Sequence, residues 1–472
     1  MLFNSFHFLV FFPIIVILYF AIPFKWRKHL LLAASWYFYM SWKAEYIFLI
    51  IFSTSIDYFA AIQIRQAKSN LKKKQFLYLS LIVNLGTLFA FKYFNFFNEN
   101  IARIFQQFNI FYDSATYKLL LPVGISFYTF QSMSYTIDVY QKKIKVEQSF
   151  VKFALYVSFF PQLVAGPIER AANLLPQFDI NHKFNYERIS KGLKLMFWGF
   201  FQKLVIADNM ARFVDVVYAN PENYYGWDIA LVTFLFAIQI YADFSGYTDI
   251  ARGAAKIMGY NLMLNFKRPY FATSVKEFWK RWHISLSTWF KDYVYISLGG
   301  NRKAKFQWFY AIVITFILSG LWHGANWTFI LWGFYHALIY LMERTFDKKD
   351  FRIDKNNRIT DIFKALFVFI AIVFGWMIFR ANSIADLGIL LNHLFSKALF
   401  APKLSFDHVS MLVNFLAILI LLAVWLIERG KNIVEYVSGK PFWQRWTIYF
   451  VAMLCIIGLG NWGMEPFIYF RF

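Results

Sequence analysis

A single cysteine, Cys455, stands in a chain of 472 residues. One thiol closes no internal disulfide and completes no paired-cysteine zinc site, and inside an apolar run it reads as a small buried hydrophobe. Charge is scarce as well. Charged residues make up 16% of the chain, whereas soluble domains carry about 25%. HExxH, P-loop and GxSxG patterns are missing, so neither a metal nor a nucleotide fold is indicated. The stretch from Gly458 to Gly463 matches GxGxxG by letter, but it ends an apolar run with no strand–helix context and is read as chance. No low-complexity linker or internal repeat appears, so residues 1–472 read as a single membrane domain.

What the chain has is apolar surface. Hydrophobic residues reach 59% and aromatics 22%, and the mean hydropathy is +0.44. One aqueous core cannot hide that much, which predicts an all-α polytopic membrane protein. Apolar runs at 6–24, 44–64, 76–94, 118–140, 188–208, 227–243, 307–322, 326–342, 362–380, 410–427 and 445–462 predict roughly eleven spans across about 30 Å of hydrocarbon. A shorter stretch at 29–42 and an interrupted one at 150–168 accompany them. The second holds Pro161, Gly166 and Pro167, as a broken or re-entrant element would; such backbone persists at membrane depth only inside protein or beside a water-filled cavity. The N-terminus lacks the basic segment of a cleaved leader, and the run at 6–24 is expected to be the first helix.

The formal net charge is +22, from 49 basic and 27 acidic residues. The basic residues cluster in short connections rather than on a soluble domain, so they read as topology signals and lipid contacts, and no nucleic-acid partner is expected. Lys25-Trp26-Arg27-Lys28, Lys72-Lys73-Lys74 and Lys142-Lys143 agree if the N-terminus faces outside and these loops face the cytoplasm. The Asn- and Gln-rich segment 95–117 then suits an outer loop.

Residues 274–297 differ from the rest. Phe278, Trp282, Leu286, Trp289 and Tyr293 fall at spacings of 4, 4, 3 and 4, which predicts one amphipathic helix at the interface or beside a cavity. His283 neighbours its apolar stripe. Of the eight histidines, His7, His29, His182, His393 and His408 lie near span ends or in polar connections, and His336 suits a packed, hydrogen-bonded core residue. His323, in SGLWHGANW between Gly320 and Gly324, is different. An ionisable group inside a span is costly and therefore a functional candidate, and the glycines let a helix or a substrate approach the backbone. Asp243, Ser245 and Asp249 follow a span ending near Tyr241, and the two acids read as structural ion-pairing groups for Arg252, Lys267 or Arg268.

The run from FSGYTDIARG through KEFWKRWHISLSTWFKDYVYISLGGNR, followed by SGLWHGANWTFILWGFYHAL, closely resembles the membrane-bound O-acyltransferase superfamily and, within it, the alginate O-acetylation branch. LPVGISFYTFQSMSYTIDVY, SFFPQLVAGPIERAANLLPQF, the opening MLFNSFHFLVFFP and the ending PFIYFRF fit that branch too. Ser297 stands where the branch commonly has proline. The resemblance implies helices around a central tunnel open to both leaflets of a bacterial inner membrane. It implies His323 as the essential catalytic residue and His283 as its helper, with Arg281, Trp282, Ser287, Asn326 and Trp327 lining the tunnel. No bound cofactor or metal is implied. The donor would be a cytoplasmic thioester such as acetyl-CoA. The partners would be membrane lipids, a periplasmic SGNH-hydrolase-like acetyltransferase and, as final acceptor, an extracytoplasmic polysaccharide. Two alternatives remain: a sister branch that moves D-alanine from a carrier-protein thioester, and a non-catalytic transporter or flippase.

Overall fold

The computed structural model describes residues 1–112, 121–164, 166–302, 304–346, 358–396, 403–404, 407–463 and 466–468. Among them the secondary structure is helical, with no strand. Among the described residues seven helices are long and apolar enough to cross a membrane: Ala44–Gln66, Asn70–Gln107, Trp227–Met258, Lys305–His323, Ile359–Arg380, His408–Ile427 and Phe442–Leu459. The other four long runs also fold as helices but fall short of that standard. Phe6–Ala21 has only 16 residues, about 24 Å at 1.5 Å per residue. Ile125–Tyr140 has the same length. The helix Tyr186–Phe200 gives way to a π turn at Phe201–Ala207, and Trp327–Phe346 ends in charge at Glu343 and Arg344. The expectation of an outer loop at 95–117 is corrected in part: Phe94–Gln107 is helical and continues the Asn70–Leu88 helix through a π turn. Residues 113–117 lie outside the described residues.

The chain forms two compact units, residues 1–193 with 251–263, and residues 194–250 with 264–472. In the first, Asp57 sits at the centre of a three-helix cluster. Its buried carboxylate accepts hydrogen bonds from Ser80, Asn84 and Ser132, so a group that is costly in hydrocarbon becomes a cross-link. The expected break in 150–168 is present. Helix Phe150–Ser158 stops at Phe159 and a single turn follows at Phe160–Leu163. The break frees the Tyr156 carbonyl, which accepts from the amides of Gln131 and Gln162, while the Phe160 N–H donates to Ser35 Oγ at 3.0 Å. Irregular backbone is thus satisfied by protein, the condition under which it survives at membrane depth.

The second unit carries a buried ion-pair triad. Lys203, in the π turn, lies 2.8 Å from Asp208 and 2.6 Å from Asp243. The other Asp243 oxygen accepts from the Ile468 N–H at 2.7 Å. Ion pairing was the expected role of Asp243, but its partner is Lys203 rather than Arg252, Lys267 or Arg268. The reason is that the helix does not end near Tyr241; it runs on to Met258, so Asp243 projects from a helical interior toward the π turn. Asp249 accepts from Gln202 at 3.1 Å. Gly199 and Gly246 make this contact close, since a Cβ at either would lie 2.6–2.7 Å from the other's carbonyl oxygen.

Candidate active site

The amphipathic segment is two helices rather than one. Val275–Arg281 and Ile284–Phe290 are separated by Trp282 and His283, and His283 adopts the left-handed conformation at φ 41°, ψ 54°. Such backbone costs about 1–3 kcal/mol and is held only where its surroundings fix it. Here Asn265 does so. Its carbonyl accepts from the Ile284 N–H at 3.0 Å, its Oδ1 accepts from the Ser285 N–H at 3.3 Å, and its Nδ2 reaches Thr248 Oγ1 at 3.4 Å. The Lys267 N–H donates to the Arg281 carbonyl at 2.9 Å. Backbone groups that a continuous helix would pair internally are paired instead with the 265–267 strip.

The break turns Trp282 and His283 inward. Trp282 packs against Trp376 at 4.8 Å, Phe266 at 5.0 Å and Phe278 at 5.6 Å between ring centroids. His283 is 1% exposed and meets the ring of Phe244 edge-on at 4.5 Å. It lies outside the seven spans, and burial pushes its imidazole from the usual 6.5 down to about 3, which favours the neutral ring.

His323 is the last residue of Lys305–His323 and is 4% exposed. The flanking glycines admit the neighbouring helix. A Cβ at Gly320 would lie 2.1 Å from the Phe329 carbonyl oxygen, one at Gly333 would lie 2.3 Å from that of Phe316, and one at Gly324 would strike the Phe329 ring. Around His323 stand Trp322 at 5.0 Å, Trp332 at 5.2 Å and Phe379 at 5.2 Å. Trp322 is also 6.0 Å from His283. One indole therefore borders both candidate histidines, which are 40 positions apart in sequence.

The other candidates scatter in role. Arg281 pairs with Glu277 and donates to the Arg268 carbonyl at 3.3 Å. Ser287 donates to the Trp282 carbonyl at 3.1 Å. Asn326 caps the next helix through the Thr328 N–H at 3.0 Å and holds the Asn382 carbonyl at 2.8 Å. Trp327 is half exposed. His336 is packed, as expected, against Trp279 at 5.0 Å and Trp332 at 4.7 Å. Hydrogen bonding was expected of it too, but both its ring nitrogens are without a partner among the described residues.

A cavity of about 410 Å³ opens beside the break. Ile284, Leu286, Ser287 and Thr288 line it from one side and Ile312, Thr315, Phe316 and Ser319 from the other. Three exposed lysines, Lys276, Lys280 and Lys291, contribute to its wall. Its apolar depth and cationic margin suit an anionic ligand with an apolar arm. Sequence reasoning overlooked Asn265, Phe244, Trp332 and Phe379. Asn265, a polar residue inside NLMLNFKRPYF, was the available signal; the aromatic residues are hidden among many of their kind. Phe467 was also unforeseen as a neighbour, packing 5.3 Å from Phe244 and 4.9 Å from Tyr247.

Helices long and apolar enough to span a membrane, with His283 and His323 buried in the second unit, mark a helical membrane protein. The chain belongs to the membrane-bound O-acyltransferase family, which residues 142–381 match, and it is a multi-pass O-acyltransferase; the transporter alternative is set aside. It is 40% identical over 387 residues to the probable alginate O-acetylase of Azotobacter vinelandii, covering 81% of this chain and 76% of that one. It is 36% identical over 386 residues to a peptidoglycan O-acetyltransferase of Helicobacter pylori, covering 75% and 71%. The teichoic acid D-alanyltransferase of Bacillus subtilis is 29% identical over 282 residues, covering 56% and 70%.

Proposed function

We propose that this enzyme takes an acetyl group from acetyl-CoA on the cytoplasmic side of a bacterial inner membrane and delivers it for O-acetylation of an extracytoplasmic polysaccharide. In this reading His323 is the general base. Its neutral imidazole accepts the acceptor's hydroxyl proton as that oxygen attacks the thioester carbonyl. The tetrahedral intermediate then expels the CoA thiolate, which takes up the proton, leaving ester and thiol. His283, neutral in its buried setting, positions the thioester. Lys276, Lys280 and Lys291 meet the donor's phosphates, and Ser287 lies along its path. A periplasmic SGNH-hydrolase-like partner passes the acetyl group to the glycan, and the N-terminus faces outside. The observation that carries the reading is the shared indole: Trp322 borders both buried histidines. The activities of the more similar relatives, acetylation of alginate and of peptidoglycan, support acetyl over D-alanyl transfer.

The test is label transfer from radiolabelled acetyl-CoA by purified, detergent-solubilised protein, comparing wild type with His323→Ala. General-base help is worth about 10²–10⁴ in rate, so the variant is expected to lose at least a hundredfold while eluting as a folded monodisperse species. Retention of more than a tenth of the activity removes His323 from the base role. If wild type consumes a carrier-protein thioester but not acetyl-CoA, the D-alanyl reading replaces this one.

A further inference from the structure

A second cavity, of about 360 Å³, lies elsewhere in the second unit, within the roughly 300–1,000 Å³ range of ligand pockets. Helix Tyr186–Phe200, the spans His408–Ile427 and Phe442–Leu459, and the short helix Ile433–Ser438 supply its walls. The lining is almost wholly apolar, including Phe197, Trp198, Ile420 and Val451. On Phe442–Leu459 the large residues Phe450, Val451, Leu454 and Ile457 are exposed, as a span facing hydrocarbon requires. Water is therefore a poor occupant of this cavity.

Two polar features break the apolar wall. Lys194 lines the cavity and its ammonium donates to Ser438 Oγ at 2.9 Å, which sets it level with the connection between the two spans. Tyr449 also lines the cavity, and its hydroxyl has no hydrogen-bond partner among the described residues. The connection itself is basic. Arg429, Lys431 and Lys440 outnumber Glu428 and Glu435 across 428–441, and Arg445 stands in the first turn of the span that follows. Basic groups beside a span attract anionic head groups at about 1 kcal/mol each.

We propose that this cavity holds an anionic phospholipid, with one acyl chain against the apolar wall and the phosphate over Lys194 and the 428–441 connection. The lipid's chemistry matches the site from end to end: hydrocarbon for the wall, a phosphate oxygen for the ammonium, an ester or hydroxyl oxygen for Tyr449. Its occupancy does not depend on which acyl donor the enzyme uses.

Cys455 lines the same cavity and is the chain's single thiol, so it reports occupancy. The full chain, delipidated in neutral detergent, is alkylated with N-ethylmaleimide while phosphatidylglycerol or phosphatidylcholine of matched chains is titrated. Phosphatidylglycerol is expected to slow Cys455 alkylation at least fivefold, and phosphatidylcholine less than twofold at the same mole fraction. Lys194→Gln is expected to abolish the difference and Lys194→Arg to keep it, both variants retaining acyl transfer. Equal protection by the two lipids, no protection by either, or a preference that survives in Lys194→Gln would each overturn the proposal. Native mass spectrometry of the same samples, counting retained phosphatidylglycerol, separates loss of binding from loss of fold.

Discussion

His283 is a histidine kept from the charge it would take in water. Burial lowers its imidazole from 6.5 to about 3, so between those values the unfolded chain binds a proton that the folded one refuses. By linkage, this residue's contribution to stability rises with pH through that window and is lost as pH falls below 6.5. At pH 5 the loss is about 2 kcal/mol, from 1.4 kcal/mol per pH unit. Replacing it by Asn removes the titration. Thermal unfolding of wild type and His283→Asn in detergent is therefore expected to show the variant losing less stability between pH 7 and pH 5. Parallel losses would show that the ring is hydrated. The identity of the residue was readable in RWHISLS; its left-handed backbone was not, because the strain is set by Asn265 rather than by its chain neighbours.

At the scale of elements, small residues decide how closely helices meet. The hairpin of Lys305–His323 and Trp327–Phe346 brings Gly320 against the Phe329 carbonyl and Gly333 against that of Phe316. Without a hydrophobic drive between spans, such close packing is the main attraction available. Gly320→Ala would place a methyl 2.1 Å from a backbone oxygen, which the hairpin relieves only by parting. The expected cost is about 1–3 kcal/mol, seen as a lowered unfolding temperature together with reduced acyl transfer, since His323 lies one turn away. An unchanged melting temperature would mean that the hairpin is looser than described. The 274–297 segment teaches the complementary lesson. Its 4, 4, 3, 4 spacing is helical and most of its residues are in helix, yet the periodicity gave no warning of the break, because the hydrogen bonds that replace the helical ones come from residues 265–267.

Across the molecule, each compact unit is held by a buried ionisable group rather than by apolar contact alone. Asp57 in the first is satisfied by hydroxyls and an amide; Asp243 in the second is paired with Lys203, which also holds Asp208. Removing one member of a buried ion pair is costly because the remaining charge is stranded, typically by 3–5 kcal/mol. Lys203→Met strands two carboxylates and is expected to lower yield and melting temperature sharply. The triple replacement Lys203→Met, Asp208→Asn, Asp243→Asn is expected to recover much of that loss. If the single variant is as stable as wild type, the triad does not hold the unit together. Asp243 also receives the Ile468 N–H, which secures the segment carrying Phe467 beside Phe244 and hence near His283.

Composition and the order of apolar runs by themselves determined that this chain is a helical, multi-pass membrane protein, because the cost of wetting so much hydrocarbon surface leaves no other solvent. Its motifs determined the family and nominated both histidines, since those strings are long and consecutive. Only tertiary structure decided that a single indole borders both rings, that Lys203 is the partner of Asp243, and that the amphipathic helix breaks at His283. Each of these depends on groups distant in sequence meeting at a few ångströms, and periodicity along the chain records local preference, not which remote donor or carbonyl will be there to accept it.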